Sequence, residues 1–149
     1  MKIVIVGDGK VGFMLTKLLS KEGHDLVVID SNAAVLRESQ EALDVAVVTG
    51  NGACVEVQRE ADVQHSDVLI AATSGDEINL LCCMVARKLG CRSTIARVRN
   101  PSYDALLRLL KEDLGLSLSI NPERAAAREI FRILQFPSFL KRDSFAKGR

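Results

Sequence analysis

Six residues, Gly7-Asp8-Gly9-Lys10-Val11-Gly12, constrain the fold of this chain more than any other stretch. They follow Ile3-Val4-Ile5-Val6, a short run of β-branched apolar residues. They precede Phe13, Met14, Leu15, Lys17, Leu18 and Leu19, which have the spacing of a helix. A parallel strand covered on both faces reads as a continuous apolar run, and the helix after it offers unpaired N–H groups at its start. Such a junction attracts anions. In the GxGxxG spacing, Gly7 permits the tight turn, Gly9 lets the backbone approach a pyrophosphate, and Gly12 lets the helix pack closely on the strand. The pattern alone is weak. A second apolar run, Leu26-Val27-Val28-Ile29, ends at Asp30, roughly 20 residues beyond the glycines, where the Rossmann fingerprint places a ribose-binding acid. Strand, glycine turn, helix, strand and acid together predict a nucleotide-binding Rossmann unit; the alternative is the same turn with no ligand.

Strands and helices alternate through the rest of the chain. Ser31 or Asn32 can cap a helix reaching Leu43, and residues 45–49 form a third strand ending in Gly50-Asn51-Gly52. Residues 53–61 read as a short helix and 67–73 as a fourth strand. Thr73-Ser74-Gly75-Asp76 is then a turn and cap for a helix from Glu77 to Leu89, stopped by Gly90. Residues 93–98 supply a fifth strand, and Pro101 opens a helix carrying Leu106, Leu107, Leu109 and Leu110. Residues 116–120 are the sixth strand. Asn121-Pro122 begins the last helix, with Ala125, Ala126, Ile130, Ile133 and Leu134 spaced for burial. The right-handed crossover rule turns this alternation into a doubly wound α/β fold. Its six-stranded parallel sheet has the order 3-2-1-4-5-6, helices on both faces and a crevice between the first and fourth strands.

The carboxyl ends of the strands gather Gly7 to Gly12, Asp30, residues 49–52, residues 72–74 and Arg97. Arg97 could reach a phosphate or carboxylate through two hydrogen bonds, or it could form a salt bridge to a neighbouring acid. Arg99 is a weaker candidate of the same kind. Asp30 either holds a ribose or caps the next helix. As a ribose ligand it favours a free diol, as in NAD(H) or an adenosine nucleotide, over NADP. His24, His65 and Tyr103 are poorly placed for chemistry over a cofactor, so a binder rather than an enzyme is expected. The alternative is the cofactor-binding part of a small NAD-dependent oxidoreductase.

Composition narrows the partners. Of 149 residues, 48% are hydrophobic and 26% charged, and the net charge of +1 gives no reason to expect nucleic acid. No apolar run reaches the roughly 18 residues that cross a bilayer, so a cytoplasmic protein is expected. Cys54, Cys82, Cys83 and Cys91 lack paired CxxC spacing and read as free buried thiols, with no metal site.

MKIVIVGDGKVG, LVVIDSN, VVTGNGA, DVLIAATSGDEINLLCCMVARKLG and TIARVRNP together resemble the nucleotide-binding domain of bacterial potassium-transport regulators, the RCK or KTN domains. The resemblance is greatest to the TrkA-like peripheral subunits of Trk uptake. It implies a domain over residues 1–136, with 137–149 a tail or the start of a linker to a missing C-terminal domain. It further implies a homodimer or higher ring that binds NAD(H) or ATP/ADP and regulates a membrane potassium channel or transporter subunit. That protein would lie at the inner face of the cell membrane without inserting into it. Carried over by position, the segment Gly7, Asp8, Gly9, Lys10, Val11, Gly12 would hold the phosphates, with Asp30, beside Ser31, on the adenosine ribose. Asn51, Gly52, Thr73 and Ser74 would line the pocket beside the base or the second half of the ligand. Glu77 would stand at its mouth and Arg97 would meet phosphate. Asp8 departs from the neutral residue usual there and is expected to point outward. Phe131, Phe136, Phe139 and Phe145, near the end of the chain, suggest that the last helix and tail pack on a second copy; the alternative is that they fold back onto their own sheet.

Overall fold

The structure, a computed structural model, describes residues 1–113, 115–116 and 118–135. Its strands are β1 (Lys2–Val6), β2 (Asp25–Asp30), β3 (Ala46–Thr49), β4 (Val68–Ala71), β5 (Ser93–Arg97) and β6 (Leu118–Ile120). They form one sheet in the order β3-β2-β1-β4-β5-β6, with every pairing parallel. The helices are α1 (Lys10–Lys21), α2 (Ala33–Ala42), α3 (Val55–Glu60), α4 (Asp76–Leu89), α5 (Asp104–Leu110) and α6 (Pro122–Gln135). This is the doubly wound Rossmann arrangement that the alternation predicts.

The apolar run of β1 serves two cores because successive side chains point to opposite faces. Ile3 and Ile5 join Leu26, Val28 and Leu36 beneath α1 and α2, where Leu15 and Leu19 pack against them. Val4 and Val6 join Val27, Ile29, Leu69 and Ala71 on the other face, closed by Leu80, Cys82, Cys83 and Ala86 of α4. Each such aliphatic side chain, once buried, contributes about 1.5–3 kcal/mol. Cys82, Cys83 and Cys91 are therefore core residues, and burial pushes the Cys82 and Cys83 thiols up to about 12. Cys54 is exposed, against expectation, because it precedes the first turn of α3 at the rim of the sheet.

Two elements differ from the sequence reading in ways that matter below. Pro101 opens a 3-10 turn, Pro101–Tyr103, and the α-helix follows at Asp104. In α6, Ala125, Ala126, Ile130 and Leu134 are exposed rather than buried. The helix follows the edge strand β6, and among the described residues no further strand extends the sheet to receive its apolar side. Phe131 is likewise exposed, while Phe136, Phe139, Phe145 and the tail lie outside the described residues. No helix among the described residues is long and apolar enough to cross a membrane.

Candidate functional site

The glycine turn is packed so tightly that two of its glycines have no room for a side chain. Gly7 has φ +96°, and a Cβ there would lie 2.8 Å from the backbone nitrogen of Thr73. A Cβ on Gly12 would lie 1.7 Å from the carbonyl oxygen of Gly7. Gly9 differs, since nothing in the protein lies within 4 Å of the Cβ it lacks. Gly7 and Gly12 thus serve the fold, while Gly9 leaves open space at the N-terminus of α1, where no side chain caps the helix.

Two adjoining depressions, of about 260 and 360 Å³, meet at Gly7, Asp30 and Thr73. The first is completed by Ser31, Asn51, Gly52 and Ile78, among others, and the second by Gly9, Lys10, Val11, Ser74 and Arg97. Ten of the residues singled out from the sequence, together with Gly7, therefore line one crevice between the carboxyl ends of β1 and β4. Asp8, Gly12 and Glu77 do not line it. Gly12 supports the turn from behind. Glu77, in the first turn of α4, accepts a hydrogen bond from the Tyr103 hydroxyl, which holds its carboxyl below the usual glutamate range. A larger depression, about 510 Å³, lies away from the glycine turn between α5 and α6.

Asp30 is fixed by the backbone. Its Oδ2 accepts the Asp8 N–H at 2.8 Å and its Oδ1 accepts the Asn32 N–H at 2.8 Å. Each carboxylate oxygen has a second lone pair, so the group can still accept hydroxyl hydrogens from a ligand. Asn32, not Asp30 or Ser31, caps α2, accepting the Ala34 N–H at 3.0 Å.

Asp8 does not point outward. It is buried, and its Oδ2 accepts the Ser39 hydroxyl of α2 at 2.5 Å, while its Oδ1 has no partner. The short side chain fits the gap between the turn and α2, and Ser39 gives it an inward hydrogen bond. Burial raises the Asp8 carboxyl above its ordinary 3.8, opposed by the Ser39 bond and reinforced by the negative charges of Asp30 and Glu38. A proton is thus held more tightly in the folded chain than in the unfolded one. Stability from this group is full below about pH 3.8 and falls as pH rises through the raised value. Asp8→Asn is expected to shrink the fall in melting temperature as pH rises from about 3.8 to neutrality, a change that thermal melts across that range measure directly.

The opposite wall is held by Asn79, which the sequence reading passed over, with Asp76 of the predicted cap and Arg99, the weaker of the two arginine candidates, beside it. Asn79, fully buried in α4, accepts the Thr73 N–H and hydroxyl through Oδ1, at 2.9 and 2.6 Å. Its Nδ2 donates to the carbonyls of Thr73 and Arg97. Asp76 accepts the N–H groups of Arg99 and Asn100, and the Arg99 guanidinium donates to the Ser74 carbonyl. One signal for Asn79 was present, a lone amide inside the apolar run Ile78 to Met84.

Arg97 satisfies both readings of it. It lines the crevice, and its Nη2 donates to Glu123 Oε1 of α6 at 2.8 Å. Its Nε is buried without a partner. Among the described residues no histidine, cysteine or tyrosine lines either depression, so they offer hydrogen-bond donors, one carboxylate and two cations, Lys10 and Arg97. Such a set suits binding of an anionic ligand with hydroxyl groups.

Comparison with known proteins agrees with this geometry. Residues 3–122 match the family model of the TrkA-N domain. The Trk system potassium uptake protein TrkA homologue 1 of Methanosarcina mazei is 39% identical over the whole chain, which covers 38% of that protein. The TrkA protein of Vibrio alginolyticus is 37% identical over the whole chain, which covers 33% of it. The chain thus spans about a third of the length of these relatives. Among solved structures, the TrkA-N domain of the Escherichia coli inner membrane protein ybaL superposes with a TM-score of 0.79 at 25% identity, covering 89% of this chain and 96% of that one. The GsuK channel bound to NAD gives 0.68 at 26% identity, over 80% of this chain and 21% of that one. With a strand-end acid, a glycine turn and a parallel six-stranded sheet in the same chain as these matches, the protein belongs to the TrkA-N domain family.

Proposed function

We propose that this chain is the nucleotide-binding regulatory domain of a potassium uptake system, working through NAD(H) or ATP/ADP bound in the crevice rather than through catalysis. The observation that carries the reading is the meeting of an unfilled Gly9, a backbone-fixed Asp30 and Arg97 around one depression. Gly9 and the first N–H groups of α1 would take the phosphates, Asp30 the adenosine ribose, and Asn51, Thr73 and Ile78 the flank of the ligand. The relatives named as potassium uptake proteins and the GsuK structures bound to NAD and to ADP support the choice of ligand and role. The partners this reading requires are a second copy of the chain, in a dimer or ring, and a membrane-embedded transporter subunit at the cytoplasmic face. Regulation needs the ligand to prefer one of two assembly arrangements, because equal affinity for both would shift nothing.

Calorimetric titration with NADH, NAD, ATP and ADP tests it. At least one nucleotide is expected to bind, and Asp30→Ala is expected to weaken it by about tenfold or more, close to 1.4 kcal/mol. Circular dichroism of the variant distinguishes lost binding from lost fold. A folded wild-type chain that binds none of the four overturns the reading.

A further inference from the structure

Asp8 stands between Gly7 and Gly9, in the turn that would take the phosphates, and the crevice makes no direct use of its charge. It is 3% exposed and faces α2, where the Ser39 hydroxyl donates to Oδ2 at 2.5 Å. Its Oδ1 is buried with no partner. Among the described residues no lysine or arginine pairs with it, and the charges acting on it, those of Asp30 and Glu38, are both negative. Its own N–H donates to Asp30 Oδ2 at 2.8 Å, so the same residue also orients the ribose acid.

A charge in that position acts on the phosphate cradle through protein rather than through water. Coulomb interaction falls as the surrounding dielectric rises, and a charge shielded from solvent is screened less than an exposed one. Lys10, the nearest cation along the turn, is exposed, so water damps its opposing pull. The Ser39 bond favours the ionised carboxyl, because a donated hydrogen stabilises the charged form. The cradle therefore receives phosphates against a fixed negative charge, and the penalty grows with the charge a ligand brings. ATP brings the most and ADP less. NAD brings the least, since both its phosphates are esterified and its nicotinamide ring is a cation.

Resting on the nucleotide-binding reading above, we infer that Asp8 is a specificity-determining residue that biases the crevice by phosphate charge, towards NAD and away from ADP and, most of all, ATP. It does not line the crevice. It acts by setting an unpaired buried charge behind the N–H groups of the turn, which offer every ligand the same hydrogen bonds at a different electrostatic cost. Asp30 selects the ribose, and Asp8 selects how much charge is attached to it.

Calorimetric titration of the wild type, Asp8→Asn and Asp8→Ala with NAD, ADP and ATP, without divalent cations, tests the inference. Both variants lose the charge, and asparagine keeps the size of the side chain. Each is expected to bind ATP about tenfold tighter than the wild type and ADP tighter by a smaller factor, with NAD changed by less than about threefold. The ratio of ATP to NAD affinity is the readout that a merely structural role would not move, since a reshaped turn affects the phosphates of every ligand alike. Thermal melts establish that the variants are folded. If ATP and NAD affinities shift by the same factor in the variants, or neither shifts, the bias by charge is overturned while the crevice still binds nucleotide. If the wild type binds none of the three, the nucleotide-binding reading falls and takes this inference with it, which the first titration shows before any variant is made.

Discussion

Gly12→Ala is expected to destabilise the domain by about 4 kcal/mol or more, and so to leave it largely unfolded, since domains of this size hold only about 5–15 kcal/mol in reserve. The reason is backbone meeting backbone. The new methyl would sit 1.7 Å from the Gly7 carbonyl oxygen and 2.8 Å from its carbon. Neither side can yield cheaply. Gly7 is itself wedged against Thr73 of the neighbouring strand end, and its N–H is bonded to the Ile29 carbonyl at 2.8 Å. The Gly12 carbonyl accepts the buried Thr16 hydroxyl at 2.8 Å, which ties the first turn of α1 to its second. Gly9→Ala is the informative contrast. Its φ is −74°, which any residue adopts, and its methyl would meet nothing, so its stability should stay within about 1 kcal/mol of the wild type. Nucleotide affinity should nevertheless drop, because the methyl fills the space the phosphates need. Denaturant unfolding of both variants with calorimetry on Gly9→Ala checks the pair. A Gly12→Ala chain that melts like the wild type would contradict the close packing of the turn.

These two glycines also show what the sequence could and could not disclose. Spacing alone separated the roles of Gly7, Gly9 and Gly12, because the GxGxxG pattern reflects a backbone shape that few other residues permit. The sheet order was legible for a similar reason: apolar runs alternating with helices leave right-handed crossovers little choice. Asp8 was not legible. Whether an acid in that turn faces solvent or core depends on Ser39, 31 residues away, and no local rule reports such a contact. Arg97 illustrates a different limit. Its place at a strand end was readable, but the Glu123 that shares it comes from a helix beyond β6. The apolar spacing of α6 was read as burial, with a second copy as the favoured cover and the chain's own sheet as the alternative, and within this chain Ile130 and Leu134 are exposed. Periodicity says that a helix has an apolar side and is silent about what covers it.

Asn79→Leu is expected to cost about 3–5 kcal/mol, although the two side chains are close in size. The amide binds both edges of the crevice wall at once, taking the Thr73 N–H and hydroxyl and giving its own hydrogens to the carbonyls of Thr73 and Arg97. Leucine would strand those groups beside a fully buried side chain, and each unpaired buried backbone group costs about 1–3 kcal/mol. Because Arg97 is held in part through its carbonyl, binding should weaken even in conditions where the variant stays folded. Asn79→Asp separates hydrogen bonding from packing. The introduced carboxylate can still accept from Thr73, but its other oxygen would face two carbonyl oxygens where an N–H₂ had donated. Burial and those carbonyls favour the protonated acid, so its folded pKa lies above the unfolded one. Stability is then greatest below the unfolded aspartate value, about 3.9, and is lost as pH rises through the folded value. The Asp variant should therefore melt closer to the wild type at pH 5 than at pH 8, while the Leu variant should show no such recovery. If Leu and Asp variants melt alike at both pH values, the Asn79 bonds are not what holds β4 and β5 together at the crevice.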